Sequence, residues 1–221
     1  MTIARRYAAE AVGTMLLLAT VVGSGIMAEA LSAGNTGVAL LANAIATGGA
    51  LYVLILGLGP ISGAHFNPLV SLIEAWFHRL PRAQLPGYLV AQFAGALAGV
   101  ALAHAMFNLD IVQHSQHIRS THGEVISEVV AAFGLWFVIA TSSRANPAKT
   151  PAAVALYIVA AYWFTASTSF ANPAVTVARA FTATFAGIRI DDVPWFIAAQ
   201  LVGGGLAAVL TAWLLPAKEQ A

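Results

Sequence analysis

The chain has 221 residues, of which 59% are hydrophobic and 9% are charged, with 10 Lys and Arg against 9 Asp and Glu. Soluble domains carry about a quarter charged residues, so this composition excludes an ordinary soluble domain and indicates an integral membrane protein of helical type. The near-neutral balance gives no sign of nucleic-acid binding, and the absence of cysteine excludes disulfides and thiolate metal sites.

The first apolar run, residues 7–28, follows Arg5 and Arg6 and is predicted to be a transmembrane helix. A cleaved signal peptide is the alternative, but the run is longer than a signal h-region and contains Glu10. Five further transmembrane helices are predicted over residues 36–58, 85–107, 124–141, 151–168 and 193–215. Gly59 and Pro60 are expected to break the second of the six spans.

Two Asn-Pro dipeptides, Asn67-Pro68 and Asn172-Pro173, stand between these spans in strongly apolar sequence. Asn is a preferred helix N-cap, and Pro suits the first helical position, where its missing N–H costs nothing. Each dipeptide therefore predicts a half-helix too short to cross a bilayer, over about residues 67–77 and 172–185. A helix start at membrane depth is tolerated where it lines a cavity, so the pair indicates a substrate path.

The two halves of the chain repeat each other. The repeated residues are Pro86, Gln92 and Gly95 in the first half and Pro194, Gln200 and Gly203 in the second. Glu10 and Glu128 open the first span of each half. Three spans are an odd number, so the second half must lie inverted in the bilayer. We expect one transmembrane domain, residues 1–221, with inverted repeats at about 1–110 and 111–221.

The distribution of Lys and Arg predicts the orientation, because these residues concentrate in cytoplasmic loops. With the N terminus inside, the inner side holds Arg5, Arg6, Arg79, Arg82, Arg144, Lys149 and Lys218, and the outer side holds Arg119, Arg179 and Arg189. We therefore expect a multi-pass protein of the cell (inner or plasma) membrane with a cytoplasmic N terminus. The N-termini of the two half-helices then meet near the midplane.

We call each Asn-Pro dipeptide with the residue after it a box, so that the boxes are Asn67-Pro68-Leu69 and Asn172-Pro173-Ala174. The sequence resembles the major intrinsic protein family, the aquaporins and aquaglyceroporins. The resemblance is carried by the two boxes, by the lead-in Ser62-Gly63-Ala64-His65, and by the repeated Glu and Gln residues. The resemblance covers essentially the whole chain. It implies an all-α membrane channel of six transmembrane helices plus two half-helices, assembled as a homotetramer with one pore per subunit. No nucleophile–base pair, metal cluster or phosphate loop is evident in the sequence, so neither an enzyme nor a cofactor is expected.

The resemblance also indicates which residues line the pore, and two of them depart from the family pattern. The first box ends in Leu69 rather than the usual Ala, and Val175 stands where the family usually places Arg after the second box. The expected pore-lining residues are Asn67, Asn172, His65, Leu69, Thr47, Ala160, Val175 and either Ser169 or Phe170. A filter of Thr, Ala, Ser and Val would be wide and uncharged. It resembles that of the aquaglyceroporins associated with bacterial arsenic resistance.

Arg179, one helical turn beyond Val175, has two interpretations. It could line the pore one turn nearer the outer mouth, as a looser constriction that attracts anionic solutes. Alternatively, it could pair with Asp191 or Asp192, which is the expected arrangement. His114, His117 and His122 share one loop and are expected to be solvated rather than to bind a metal.

Glu10 and Glu128 are carboxylates at membrane depth, where charge is expensive and a function is the default expectation. The resemblance implies that they accept hydrogen bonds from loop N–H groups. The predicted function is a passive channel for small neutral solutes: polyols, hydroxylated or methylated metalloids such as arsenite, and water. The alternative is a proton-coupled secondary transporter that uses Glu10 or Glu128 as its proton carrier.

Overall fold

The computed structural model describes residues 1–215, and Lys218, counted above on the inner side, lies outside them. These residues form eight α-helices and no strand. The helices are α1 (Ile3–Leu31), α2 (Thr36–Ser62), α3 (Pro68–Trp76), α4 (Leu85–Met106), α5 (His122–Ala145), α6 (Thr150–Phe164), α7 (Pro173–Arg179) and α8 (Val193–Leu214). The prediction of an all-helical fold with two short helices inserted among longer ones is confirmed.

Five helices, α1, α2, α4, α5 and α8, are long and apolar enough to cross a membrane. Helix α6 has only 15 residues, but it continues directly from a 3-10 turn at Pro147–Lys149. Together the turn and the helix extend about 28 Å, close to the ~30 Å thickness of a bilayer core. Helix α6 packs between α2 and α5, which places it in the bundle as the sixth spanning element.

Helix α2 does not end at Gly59 and Pro60 as predicted; it continues to Ser62. Pro60 lies in the last turn, where its missing N–H removes a single helical hydrogen bond. Gly63 then ends the helix in the left-handed conformation, with φ of 93°, and donates its N–H to the Gly59 carbonyl. This conformation suits glycine, which has no Cβ to clash. The local cap therefore overrides the helix-breaking signal.

Helices α6 and α7 both end earlier than predicted, at Phe164 and Arg179. Thr165, which follows α6, is extended, with φ of −111° and ψ of 139°, and the residues after Arg179 form a turn. Apolar residues continue past Arg179 with Ala180 and Phe181 and hid the end of α7, whereas residues 165–169 after α6 are mostly Ser and Thr, which marked that end.

The helices pack as two copies of one arrangement. Helix α1 packs along α4 as α5 packs along α8, and α3 contacts α8 as α7 contacts α4. A Cβ on Gly95 of α4 would lie 2.3 Å from the Ala11 carbonyl oxygen of α1, and one on Gly203 of α8 would lie 2.1 Å from the Val129 carbonyl oxygen of α5. Glycine thus permits equally close helix pairs in both halves, which agrees with the predicted inverted repeat.

Candidate pore

The structure contains a cavity of about 280 Å³ enclosed by α1, α2, α5, α6 and the segments that lead into α3 and α7. We call the side on which the chain begins the N-terminal side, and the side carrying residues 107–121 the loop side. Glu74 and Ser143 line the cavity toward the N-terminal side, and Arg179 lines it toward the loop side. The cavity therefore follows the direction in which the spanning helices cross the membrane.

Asn67 and Asn172 both line this cavity and cap the two half-helices. The Asn67 Oδ1 atom accepts a hydrogen bond from the Leu69 N–H at 2.9 Å, and the Asn172 Oδ1 atom accepts one from the Ala174 N–H at 3.0 Å. These are the bonds that an asparagine N-cap makes to free backbone N–H groups. The half-helices thus begin at the residues that the sequence predicted.

The two boxes are also bonded directly to each other. Asn67 Nδ2 donates to the Ala171 carbonyl at 2.8 Å, and Asn172 Nδ2 donates to the Phe66 carbonyl at 2.8 Å. Each amide nitrogen has two hydrogens, and one hydrogen of each asparagine is used in these two reciprocal hydrogen bonds. The second N–H of each side chain makes no other hydrogen bond within residues 1–215, which leaves one donor per box on the cavity wall.

Backbone strain is repeated in the two segments that lead into the boxes. Ala64 and Phe66 have φ of 49° and 48°, and their counterparts Ser169 and Ala171 have φ of 53° and 48°. A non-glycine residue in this left-handed region costs about 1–2 kcal/mol. The surrounding contacts must therefore hold these segments in place.

Glu10 holds the first segment through four accepted hydrogen bonds. Oε1 accepts from the Ser62 hydroxyl at 2.6 Å and the His65 N–H at 3.0 Å. Oε2 accepts from the Phe66 N–H at 2.7 Å and the Gln92 side chain at 2.8 Å. The carboxylate is fully buried, so these donors replace the water that it loses.

Glu128 repeats this arrangement in the second half and is also fully buried. Oε1 accepts from the Ser167 hydroxyl at 2.6 Å and the Phe170 N–H at 2.8 Å. Oε2 accepts from the Ala171 N–H at 2.9 Å and the Gln200 side chain at 2.6 Å. The serine donors were not predicted from the sequence, although Ser62 and Ser167 stand five residues before the two asparagines.

Most of the sequence-predicted pore residues contact the cavity. They are Asn67, Asn172, His65, Thr47, Ser169, Phe170 and Val175. Ser169 and Phe170, which were alternatives, both line it. Ala160 and Leu69 do not.

Ala160 was predicted at the constriction, but it lies exposed on the outer surface of α6. Val154, Ile158 and Tyr162 line the cavity instead. These three residues are spaced by four and so share one face of the helix, whereas Ala160 lies two residues away from that face. The Tyr162 hydroxyl lies 3.2 Å from the Thr47 hydroxyl across the cavity wall. Four-residue spacing alone does not choose this face, because Leu156, Ala160 and Phe164 share the same spacing on the exposed face of α6.

Leu69 was also predicted to line the pore, and it is instead buried against α8. A Cβ placed on Gly204 would meet the Leu69 side chain at 2.7 Å, so this glycine makes room for the bulkier third residue of the box. The next residue, Val70, contacts the cavity. One residue turns a helix by about 100°, which is enough to move Leu69 off the cavity face.

Arg179 does not form the expected ion pair with Asp191 or Asp192. Its Nε donates to the Ala186 carbonyl, and its guanidinium carbon lies 3.4 Å from the centre of the Phe170 ring. Asp192 is bonded to Arg189 instead, at 2.7 Å. Arg179 is 3% exposed and lines the cavity, so the loop-side end carries a guanidinium, whereas the sequence predicted an uncharged filter.

A second buried arginine, Arg119, was not identified as a site residue from the sequence. Its Nε donates to the Gly187 carbonyl at 2.9 Å, and its Nη1 donates to the Ser167 carbonyl at 3.4 Å. Its guanidinium carbon lies 5.3 Å from the centre of the Phe170 ring. Burial lowers the pKa of Arg119. Two guanidinium groups therefore approach one aromatic ring at the loop side.

His114, His117 and His122 are not brought together as metal ligands, and no group of three metal-ligating side chains forms within residues 1–215. Burial, and then the nearby charges of Arg119 and Arg179, lower the pKa of His117. The positive charge at the loop side therefore comes from the arginines.

The family model of the major intrinsic proteins matches residues 1–166. The chain is 56% identical over 211 residues to aquaglyceroporin AqpS of Rhizobium meliloti, and the match covers 96% of this chain and 90% of that protein. The chain belongs to the major intrinsic protein family. It is also 30% identical to aquaporin Z of Bradyrhizobium diazoefficiens, over 95% of this chain and 93% of that protein.

The fold is similar to that of the aquaglyceroporin from Plasmodium falciparum, with a TM-score of 0.69 and 20% identity over 96% of this chain and 95% of the other. The family membership and the aquaporin-like fold predicted from the sequence are thus confirmed. The protein is a multi-pass membrane protein, and its special resemblance to arsenic-associated members of the family stays a prediction.

Proposed function

We propose that this protein is a passive channel for small neutral solutes, namely polyols such as glycerol, hydroxylated or methylated metalloids such as arsenite, and water. The observation that carries the proposal is the meeting of two asparagine N–H donors, from Asn67 and Asn172, in one cavity. A passing hydroxyl oxygen accepts from these donors in turn. The donors also orient water and so interrupt a continuous proton wire.

One part of the cavity wall is apolar and another is polar, and this division supports the passage of solutes that are polar on one side only. The apolar lining residues on α1, α2, α5 and α6 are Leu17, Val21, Leu51, Ile55, Leu135, Ile139, Val154 and Ile158. Near the centre, the polar lining comes from the box asparagines and the segments that lead into them, and Thr47 and Tyr162 add hydroxyl groups on α2 and α6. A polyol places its carbon chain on the first wall and its hydroxyl groups on the second, whereas an ion finds too few ligands to replace its hydration shell.

Charge at the centre of the cavity supports the exclusion of cations. Helices α3 and α7 begin at the two asparagines, and a helix N-terminus carries up to about half a positive charge. Both N-termini face the same central region, so their fields add and repel cations and hydronium.

The alternative of a proton-coupled transporter needs Glu10 or Glu128 to exchange protons with the path. Each carboxylate is fully buried and accepts four hydrogen bonds, and neither lines the cavity. Protonation would break bonds that hold the strained segments. These observations favour the channel, in which both carboxylates keep their hydrogen-bond donors.

The proposal includes a homotetramer in the cell membrane with a cytoplasmic N terminus. The excess of Lys and Arg on the N-terminal side supports this orientation. Cross-linking of the purified protein would test the oligomer, and accessibility of a tag at each terminus would test the orientation.

The central test is stopped-flow light scattering of proteoliposomes exposed to a glycerol gradient. A passive channel gives glycerol flux that rises in proportion to the gradient and does not change when a pH gradient is imposed. Empty liposomes are the control. Flux that saturates at low glycerol or follows the pH gradient would contradict the channel and favour the transporter.

A further inference from the structure

Two buried guanidinium groups lie near the loop-side end of the cavity, which Arg179 lines and Arg119 does not, and neither forms an ion pair within residues 1–215. Arg119 and Arg179 are 6% and 3% exposed. The three ion pairs formed within residues 1–215 all involve Arg79 or Arg189. Two buried carboxylates of the second half have other donors: Asp192 accepts from the Arg119 backbone N–H and from the Arg189 side chain, and Glu128 accepts from four donors of its own.

A buried charge without a counter-ion is costly, and two like charges near one ring add to that cost. Backbone carbonyls accept from Arg119 twice and from the Nε of Arg179 once, which offsets part of the cost. The terminal nitrogens of Arg179 make no hydrogen bond to any residue that the structure describes. Arg179 lines the cavity and forms no ion pair with any carboxylate of residues 1–215.

A second observation at the same place points to a ligand. Ser169 is 4% exposed, lines the cavity, and its hydroxyl has no hydrogen-bond partner among residues 1–215. A buried hydroxyl without a partner costs about 1–3 kcal/mol unless something bonds to it. The hydroxyl groups of Tyr162 and Thr47, also on the cavity, share one bond between them and keep further bonding capacity.

We propose that this end of the cavity binds a small monoanion with two or three oxygens on one centre, such as a carboxylate or a phosphonate. Arg179 supplies the charge and a planar pair of donors, and Ser169 and Tyr162 donate to the remaining oxygen. Val175 and Ile158 line the same cavity and contact the apolar part of the anion. Arg119 is held by carbonyl oxygens and adds only its field.

This inference rests on the proposed channel function and deepens it. Val175 leaves the position after the second box without a guanidinium, and Arg179 supplies one a helical turn farther along α7. A bound anion would occupy the path that neutral solutes take. It should therefore compete with glycerol for entry.

The test uses methylphosphonate at a pH at which it carries one charge. Glycerol flux into proteoliposomes is measured with increasing methylphosphonate for the parent, for Arg179→Gln and for Arg189→Gln. Arg189→Gln removes the same charge on the same side from a residue that does not line the cavity. We expect methylphosphonate to inhibit the parent and Arg189→Gln alike, and to inhibit Arg179→Gln about tenfold more weakly.

Thermal unfolding of the detergent-purified proteins measures binding without transport, since a ligand that binds the folded state raises Tm. Methylphosphonate should raise the Tm of the parent and of Arg189→Gln but not that of Arg179→Gln. Normal glycerol flux with no inhibition and no rise in Tm would overturn the anion site and leave the channel intact. Equal inhibition of the parent and Arg179→Gln would overturn the role of Arg179. Absence of glycerol flux in the parent would refute the channel, and the change in Tm would still decide the site.

Discussion

Asn67 performs two tasks with one amide group, and Asn172 repeats both. The Oδ1 atom of each caps its own half-helix, and one Nδ2 hydrogen holds the opposite box in place. The remaining hydrogen is available to a solute. Neither aspartate nor serine has an acceptor and two donors in this geometry.

We predict that Asn67→Asp allows cations to leak through the channel. Aspartate still caps the helix, but it loses both donors and places a negative charge where the two helix N-termini converge. Sodium and proton conductance of proteoliposomes should rise while the protein stays folded. Asn108→Asp makes the same change outside the cavity and should conduct like the parent. Unchanged ion exclusion in both Asn67→Asp and Asn172→Asp would show that the boxes are not the barrier.

Val175, which the sequence analysis predicted to stand where the family usually places Arg, contacts the cavity. We predict that Val175→Arg reduces the flux of solutes larger than glycerol steeply and that of water less. A second guanidinium would fill the space and add fixed charge and donors beside Arg179.

Stopped-flow measurements with water, glycerol and a larger polyol would separate these effects. Val175→Leu adds bulk without charge and is the matched control, so it should affect the large solute only moderately. Parent-level flux of every solute in folded Val175→Arg would show that position 175 does not constrict the path.

At the scale of elements, the close pairs α1–α4 and α5–α8 fix the bundle in which the half-helices lie. A Cβ on Gly95 would fall 2.3 Å from a backbone oxygen of α1, whereas a Cβ on Gly205 of α8 would meet nothing within 4 Å. A glycine-to-alanine substitution is therefore expected to have opposite effects on stability at positions 95 and 205.

We predict that Gly95→Ala destabilises the protein by about 2 kcal/mol, because α1 and α4 must move apart to admit the methyl group. Gly205→Ala should be neutral or slightly stabilising, since alanine favours the helix over glycine. The apparent Tm of the detergent-purified proteins measures both. Equal Tm values for the two variants would mean that the α1–α4 spacing adapts freely.

At the scale of the whole molecule, the chain has no cysteine anywhere in its 221 residues. Mercurials inhibit by capping thiolates, so we predict that mercuric chloride leaves glycerol flux unchanged at concentrations that spare the lipid. Val175→Cys places a thiol on the cavity wall and should create inhibition that a thiol reductant reverses. Reversible inhibition of the parent would reveal a different target.

The sequence by itself determined the class, the repeat and the position of the two boxes. Hydrophobic composition admits only a membrane protein, and an Asn-Pro pair starts a helix through bonds to residues two or three positions away. Such local interactions need no knowledge of the rest of the fold. The repeated Glu and Gln positions likewise follow from spacing along the chain.

Only the tertiary structure decided which side chains face the cavity. Successive residues on a helix differ by about 100°, so the rotation of α6 against α2 and α5 decides between Ala160 and Tyr162. The Leu69 side chain packs against α8 rather than facing the cavity, because Gly204, far along the chain, leaves space for it. The Arg179 side chain donates to the Ala186 carbonyl because the segment after α7 folds back over that helix, and no sequence spacing encodes that approach.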